Sequence, residues 1–287
     1  LMKIFNLQSN AKINIGLNVV GVLENGYHLL DMTMIPIDLC DNLTIKVEDK
    51  NGDLKIKTNK KDIPTDSSNI LYKIYKKFYE KSKLTSLQME IFLEKKIPHQ
   101  AGLGGGSSNG AIFLNFLNKI HDDILSFEEL VELGKSIGAD IPFFILNKPS
   151  RVQGIGEKLE EIENNLKASL VVIKPSFGVS TVEAYKQMKN IENPKKSNID
   201  NIIKGLIENN ILLVEKNIEN NLEEALLKSD KNLIEFRKRL AEVEELKFFM
   251  SGSGSAFYAF LIEDIDEKIS KLRHRFNDCE IFLCNFK

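Results

Sequence analysis

The run Ala101-Gly102-Leu103-Gly104-Gly105-Gly106-Ser107-Ser108 restricts the fold more than any other segment of the chain. Upstream, Leu87, Met89, Ile91 and Leu93 alternate with other residues and the pattern stops at Pro98, which reads as a strand. Downstream, apolar residues recur at helical spacing from Asn109 to Asn118. The glycines therefore join a strand to a helix. Glycine permits positive φ and close approach of the backbone to a ligand. The N–H groups and positive dipole end of the following helix make an anion site. The hydroxyls of Ser107 and Ser108 suit phosphate oxygens or Mg²⁺. The competing account is a plain connector with Ser107 or Ser108 as N-cap, and three consecutive glycines lose chain entropy on ordering. No Lys-Ser or Lys-Thr follows, which excludes a Walker loop. No GxGxxG opens a βαβ unit, which excludes a Rossmann fingerprint.

The rest of the pattern sets the architecture. Leu43, Ile45 and Val47 alternate with polar residues, as do Leu54 and Ile56, and Asn51-Gly52 between them predicts a hairpin turn. Ser126 with Glu129 forms a capping box ahead of Leu130, Leu133 and Ile137, and Gly138 ends that helix. Residues 170–173 read as a buried strand, and helical patterns fill roughly 181–245. The end reads strand, Gly/Ser turn, strand, helix, strand. This order predicts an α+β protein in two parts, 1–150 and 151–287, with the home of the last strand left open.

Bulk composition excludes several function classes. The 287 residues are 43% hydrophobic and 28% charged, ordinary for a globular chain that buries its own core. A net charge of −2 points to no nucleic acid and no anionic membrane as partner. Cys40, Cys279 and Cys284 show no CxxC spacing and fit a reducing cytosol. No transmembrane-length apolar run and no signal-type N-terminus are present, and Leu1 ahead of Met2 is left out of the reading. His99, His121 and His274 are scattered without metal-ligand spacing, so they read as structural or exposed and no protein metal site is expected.

Two short segments carry chemical content. Lys12 and Asn14 lie opposite Ile13, Ile15 and Leu17, which taken alone describes a strand with one solvated face. Asp140, in Gly138-Ala139-Asp140-Ile141-Pro142, taken alone caps or turns the chain. Brought together with the glycine loop, a carboxylate and an ammonium would suit phosphoryl transfer to an alcohol.

In order along the chain, Ala11–Asn18, Pro98–Ser108 and Ser251-Gly252-Ser253-Gly254-Ser255 resemble the three short motifs of the GHMP kinases, the family of galactokinase, homoserine kinase and mevalonate kinase. Four features are similar to the branch whose alcohol carries cytidine diphosphate: Asn25-Gly26-Tyr27-His28-Leu29-Leu30, the Ala101–Ser108 part of the loop, Gly138–Phe144 and Gly154-Ile155-Gly156-Glu157. The resemblance implies a two-domain GHMP kinase fold, with a ribosomal-protein-like, ATP-binding N-terminal domain and a ferredoxin-like C-terminal domain. It implies a cytoplasmic kinase, monomer or homodimer, that uses ATP and Mg²⁺ on the 2-hydroxyl of a cytidine-diphosphate-bearing methylerythritol in non-mevalonate isoprenoid synthesis. Lys12 and Asp140 would be the catalytic pair. Pro98, His99, Gln100, Ala101, Gly102, Leu103, Gly104, Gly105, Gly106, Ser107 and Ser108 would bind ATP. Asn14, Tyr27, His28, Thr181 and Tyr185 would meet the substrate, with Tyr27 and Tyr185 on opposite sides of the pyrimidine. Lys95, Lys96 and Asn69 match positions near the nucleotide base. Two residues depart from the pattern: Asn109 stands where many members have Asp, and Leu29 where many have Glu. The alternatives are a homoserine- or mevalonate-type kinase, which needs no platform such as Tyr27-His28, and an inactive ligand sensor, against which Lys12 and Asp140 both count.

Overall fold

A computed structural model describes residues 2–287 and divides the chain by contact into two compact units. Of the described residues, one comprises 2–11, Leu39–Ile97 and Gly104–Asn147, the other Lys12–Asp38, Pro98–Leu103 and Lys148–Lys287. The order along the chain suggests a single cut near residue 150, but each unit is assembled from three pieces. The reason lies in two long strands, β1 (Met2–Val22) and β2 (His28–Asn51), each of which contributes residues to both units.

In the first unit, β4 (Leu87–Glu94) lies between β2 and β3 (Leu54–Thr58). It runs antiparallel to β2, from Asn42↔Glu94 onward, and parallel to β3. The hairpin expected at Asn51-Gly52 does not form. The Gly52 N–H donates to Ser86 O at 3.1 Å, and the Gly52 carbonyl accepts from Ser86 Oγ and from the Tyr75 hydroxyl. The chain is thereby held across the start of β4 instead of turning back on β2, and a Cβ at Gly52 would collide with Gln88.

The helices of this unit are α1 (Ile70–Ser82), α2 (Gly105–Ile120), α3 (Phe127–Lys135) and α4 (Ile141–Leu146). The Ser126–Glu129 capping box forms as expected and opens α3. Leu71, Ile74 and Phe78 of α1 and Phe113, Leu114 and Leu117 of α2 are fully buried. Gly110 admits the close approach of these two helices, since a Cβ there would stand 3.3 Å from Ile70 Cγ1.

The second unit holds β5 (Ser150–Gly154), which pairs with β2, and β6 (Lys158–Glu161), which pairs with β5. Its other sheet has the order β10-β7-β9-β8, wholly antiparallel: β7 (Ser169–Lys174), β8 (Phe249–Met250), β9 (Phe257–Leu261) and β10 (Glu280–Asn285). Five α-helices and a short 3₁₀ turn (Met188–Asn190) separate β7 from β8: α5 (Thr181–Gln187), α6 (Ile199–Ile207), α7 (Ile211–Lys216), α8 (Asn221–Leu226) and α9 (Lys231–Ala241). One helix, α10 (Ile265–Arg275), separates β9 from β10. This alternation and strand order define a ferredoxin-like sheet. The last strand is an edge of that sheet, paired with β7. Among the described residues, no helix is long and apolar enough to cross a membrane.

A buried polar knot ties β2, β4 and α2 together in the first unit. Asp41, with no exposed surface, accepts backbone N–H bonds from Lys96 at 2.7 Å and Ile97 at 2.8 Å. It also takes the Lys95 ammonium and, at 2.9 Å, the Asn109 amide. Asn109 in turn accepts from Lys95 at 3.1 Å and donates to Ser9 Oγ. Breaking one side of a buried pair strands a charge, at a cost of about 3–5 kcal/mol, whereas removing both is far milder. Asp41→Ala should therefore lower unfolding free energy by that amount in urea titrations, and Asp41→Leu combined with Lys95→Met by much less.

Candidate active site

Every residue from Lys12 to Asn18 is buried, so the polar side of this stretch of β1 is not solvated as it would be in an isolated amphipathic strand. The Lys12 ammonium donates to the Asn14 side-chain oxygen and, at 2.8 Å, to the carbonyl of Gly102. The Lys12 backbone N–H donates to Leu103 O at 3.0 Å. The first half of the glycine loop thus runs as an extra backbone partner beside β1. A buried ammonium needs such acceptors, because its unpaired burial is strongly unfavourable.

The Ser251–Ser255 turn packs on the same corner. Ser251 Oγ donates to Gly102 O at 3.0 Å and accepts from the Asn14 N–H at 3.3 Å. Ser255 N–H and Ala256 N–H donate to the carbonyls of Gln100 and Ala101. Two glycines make the approach possible. Gly102 has φ +71°, and a Cβ there would collide with the Ser251 carbonyl. Gly252 has φ +56°, and a Cβ there would stand 3.0 Å from Asn14 Oδ1 and 3.1 Å from Lys12 Nζ. Lys12, Asn14, Gly102, Ser251 and Gly252 are therefore gathered at one point.

A second cluster in the same unit holds the aromatic residues. The rings of His28 and Tyr185 are in contact, with centroids 4.8 Å apart and planes tilted by 32°. Tyr27, next to His28, is 57% exposed on the turn that follows β1. Thr181, which opens α5, shares a 2.9 Å hydrogen bond with Ser253 of the glycine turn. Burial, and next the charge of Lys189, lowers the His28 pKa below its ordinary value of 6.5.

In the first unit, α2 begins at Gly105 behind Gly104, which has φ +71° and supplies no side-chain cap. Ser107 and Ser108 are consequently not N-caps; they lie inside the first turn. The N–H groups of Gly105, Gly106 and Ser107 have no acceptor within the helix, as at any helix start. A Cβ on Gly138 would stand 3.7 Å from Ser107 Oγ, so the turn leading to Asp140 passes beside this helix end. Asn115 of α2 also donates to Ile145 O, which ties α4 to α2. Asp140 occupies the N-cap position of α4, yet its carboxylate makes no capping hydrogen bond.

The remaining residues singled out in the sequence have local partners. Asn69 caps α1 through Leu71 N–H and donates to Pro64 O. Lys95 belongs to the Asp41 knot, and Lys96 pairs with Glu94 at 3.6 Å. His121 bonds the Tyr79 hydroxyl at 3.0 Å, and His99 is exposed. Sequence reasoning missed Asp41 and Asn220. Asp41 had a signal: it falls on the same strand face as Leu43, Ile45 and Val47, where a carboxylate must be paired. For Asn220 the only signal was an N-cap residue type ahead of Leu222.

A family model for the GHMP kinases N terminal domain matches residues 69–148. A 4-diphosphocytidyl-2-C-methyl-D-erythritol kinase from Fusobacterium nucleatum is 46% identical over 98% of this chain and 96% of its own length. One from Clostridium tetani is 38% identical over 96% and 98%. A solved 4-(cytidine 5'-diphospho)-2C-methyl-D-erythritol kinase superposes with a TM-score of 0.79 at 27% identity, covering 98% of this chain and 99% of that one. A homoserine kinase from Cytophaga hutchinsonii, at 15% identity over 98% and 95%, shares the fold with a TM-score of 0.73. The chain belongs to the GHMP kinases and, within them, to the 4-diphosphocytidyl-2-C-methyl-D-erythritol kinase family.

The lowered His28 pKa has a signed consequence. The unfolded chain binds this proton more tightly than the folded one, so stability falls as pH drops below 6.5 towards the folded pKa and is insensitive to this group above 6.5. Unfolding titrations between neutral and mildly acid pH should show a steeper loss for the parent protein than for His28→Gln.

Proposed function

We propose that the chain transfers the γ-phosphoryl group of ATP to the 2-hydroxyl of 4-diphosphocytidyl-2-C-methyl-D-erythritol. The observation that carries this reading is full-length similarity, 46% over 98% of the chain, to an enzyme of that name. The geometry adds chemical sense. Phosphoryl transfer asks a protein for positioning and charge stabilisation more than for covalent chemistry. The unsatisfied N–H groups at the start of α2 receive phosphate oxygens. Asp140, whose carboxylate is not used in capping, accepts the hydroxyl proton. Lys12 stabilises the alcohol oxygen as it becomes anionic. Asn14 holds that ammonium in place. His28 and Tyr185, already in ring contact, and Tyr27 form the platform for the pyrimidine, with Thr181 beside it.

Mg²⁺ takes hard oxygen donors and keeps much of its shell from water and substrate phosphates. The first-turn hydroxyls of α2 fit that donor chemistry, and Ser107 would hold the ion, which would neutralise phosphate charge. Cys40, Cys279 and Cys284 are all free thiols, which suits a cytoplasmic location.

A coupled ADP-release assay over the cytidine-diphosphate methylerythritol alcohol, homoserine, mevalonate and galactose tests the substrate. Turnover confined to the first is expected, and comparable turnover of homoserine would overturn the reading. On that substrate, Asp140→Asn should lower kcat by about 10²–10⁴-fold, the usual worth of a general base. The glycine loop is best probed at Gly106. A Cβ there meets nothing within 4 Å, whereas one at Gly105 meets Ile97 Cγ2 at 2.9 Å and Lys95 Nζ at 3.1 Å. Gly106→Val should keep the unfolding temperature and lose ATP affinity in nucleotide titrations; Gly105→Val should lose both.

A further inference from the structure

Asn220 lies just ahead of α8, far in sequence from all three motifs, and its side chain is 8% exposed. Its amide is fully engaged. Nδ2 donates to Met250 O at 3.0 Å and to Gly252 O at 2.9 Å. Oδ1 accepts from Leu222 N–H at 2.9 Å and Glu223 N–H at 3.3 Å. These four bonds are all that one carboxamide can make. A plain N-cap needs only the accepting half; the donating half is spent on the entry to the Ser251–Ser255 turn. Glu223, in the same first turn of α8, accepts the Met250 N–H at 3.3 Å, so both backbone groups of Met250 are gripped by one helix end.

That helix end is itself registered on β1. Leu17 N–H donates to Glu219 O at 2.9 Å, Leu17 bridges Asn220, and Val19 N–H donates to Asn221 Oδ1 at 2.8 Å. The strand that carries Lys12 and Asn14 therefore fixes α8, and α8 fixes the carbonyl of Gly252. The Cα of Gly252 is then turned towards Lys12, Asn14 and Gly102, where a Cβ would be tight, 3.0–3.2 Å from all three.

We infer that Asn220 is a positioning residue for phosphoryl transfer, acting through Gly252 on the Lys12 ammonium. The inference rests on the role proposed above for Lys12. With the Gly252 carbonyl released, the turn can rotate, and the ammonium loses the wall that limits where it can sit. Small displacements of a charge-stabilising group are felt in the chemical step more than in binding.

The test uses the full chain, two replacements of Asn220, Lys12→Met, and each Asn220 replacement combined with Lys12→Met. Asn220→Ser keeps a capping oxygen and removes both amide N–H donors; Asn220→Asp keeps the shape and the capping oxygen, sets a second oxygen against the Met250 and Gly252 carbonyls, and serves if the serine variant does not fold. For either, kcat should fall about tenfold, as two buried hydrogen bonds imply, with KM for ATP and for the alcohol within about twofold. In a Lys12→Met background, the same replacement should lower kcat no further, because its effect runs through the missing ammonium. A fall of equal proportion in both backgrounds, or a raised KM at unchanged kcat, overturns the inference and leaves Lys12 untouched. If Lys12→Met alone keeps the parent kcat, the role of Lys12 fails, and this inference with it.

Discussion

The carbonyl oxygen of Gly102 accepts two hydrogen bonds, from the Lys12 ammonium and from the Ser251 hydroxyl, and so joins segments 90 and 149 residues away in sequence. A buried ammonium and a buried hydroxyl both need acceptors that water no longer supplies. Here one backbone carbonyl serves both, and it is reachable only because Gly102 and Gly252 have no side chains in the way. The order of dependence runs from there outward. The loop must lie along β1, the Ser251–Ser255 turn must lie along the loop, and β8 and β9 must emerge on either side of that turn.

The first unit meets the same problem differently. Lys95 is buried too, but its partner is a full carboxylate, Asp41, which also binds the two backbone N–H groups that follow Lys95. The knot fixes the end of β4 and the second turn of α2, and hence both flanks of the glycine loop as the chain leaves one and enters the other. Asn109 is part of it, acting as donor to Asp41 and as acceptor from Lys95. An aspartate at this position would bring a second carboxylate against Asp41, so in this chain the amide is what lets the knot close.

Much of this was legible in the residues. The glycine loop between strand and helix, the α3 capping box, and the closing strand–turn–strand–helix–strand all follow from period and turn chemistry, and all are present. What was not legible depends on partners far away in sequence. The Asn51-Gly52 hairpin signal is local, and it lost to a strand inserted between the expected pair. The solvated face expected for Lys12 and Asn14 is local as well, and burial reversed it. Asp140 looked like a cap and sits at a cap position, yet its side chain makes no cap bond. Asn220 is the clearest case: its residue type announces a helix start, while its two donor bonds, to residues 30 and 32 positions on, have no trace in the local pattern.

Strands β1 and β2 each serve both units, and this shapes how the chain can acquire its structure. Synthesis delivers Lys12 early, but the residues that surround its ammonium arrive in three instalments: the strand itself, the loop near residue 102, and last the turn near residue 252. The lysine and asparagine of β1 can pair with each other early, but their surroundings stay incomplete until the turn near residue 252 has been made. Contacts of such long sequence separation form slowly, because the loops they close are costly in entropy. No contiguous fragment that stops short of the Ser251–Ser255 turn can contain the finished corner, so the surroundings of the Lys12 ammonium are completed in one late step, when that turn docks.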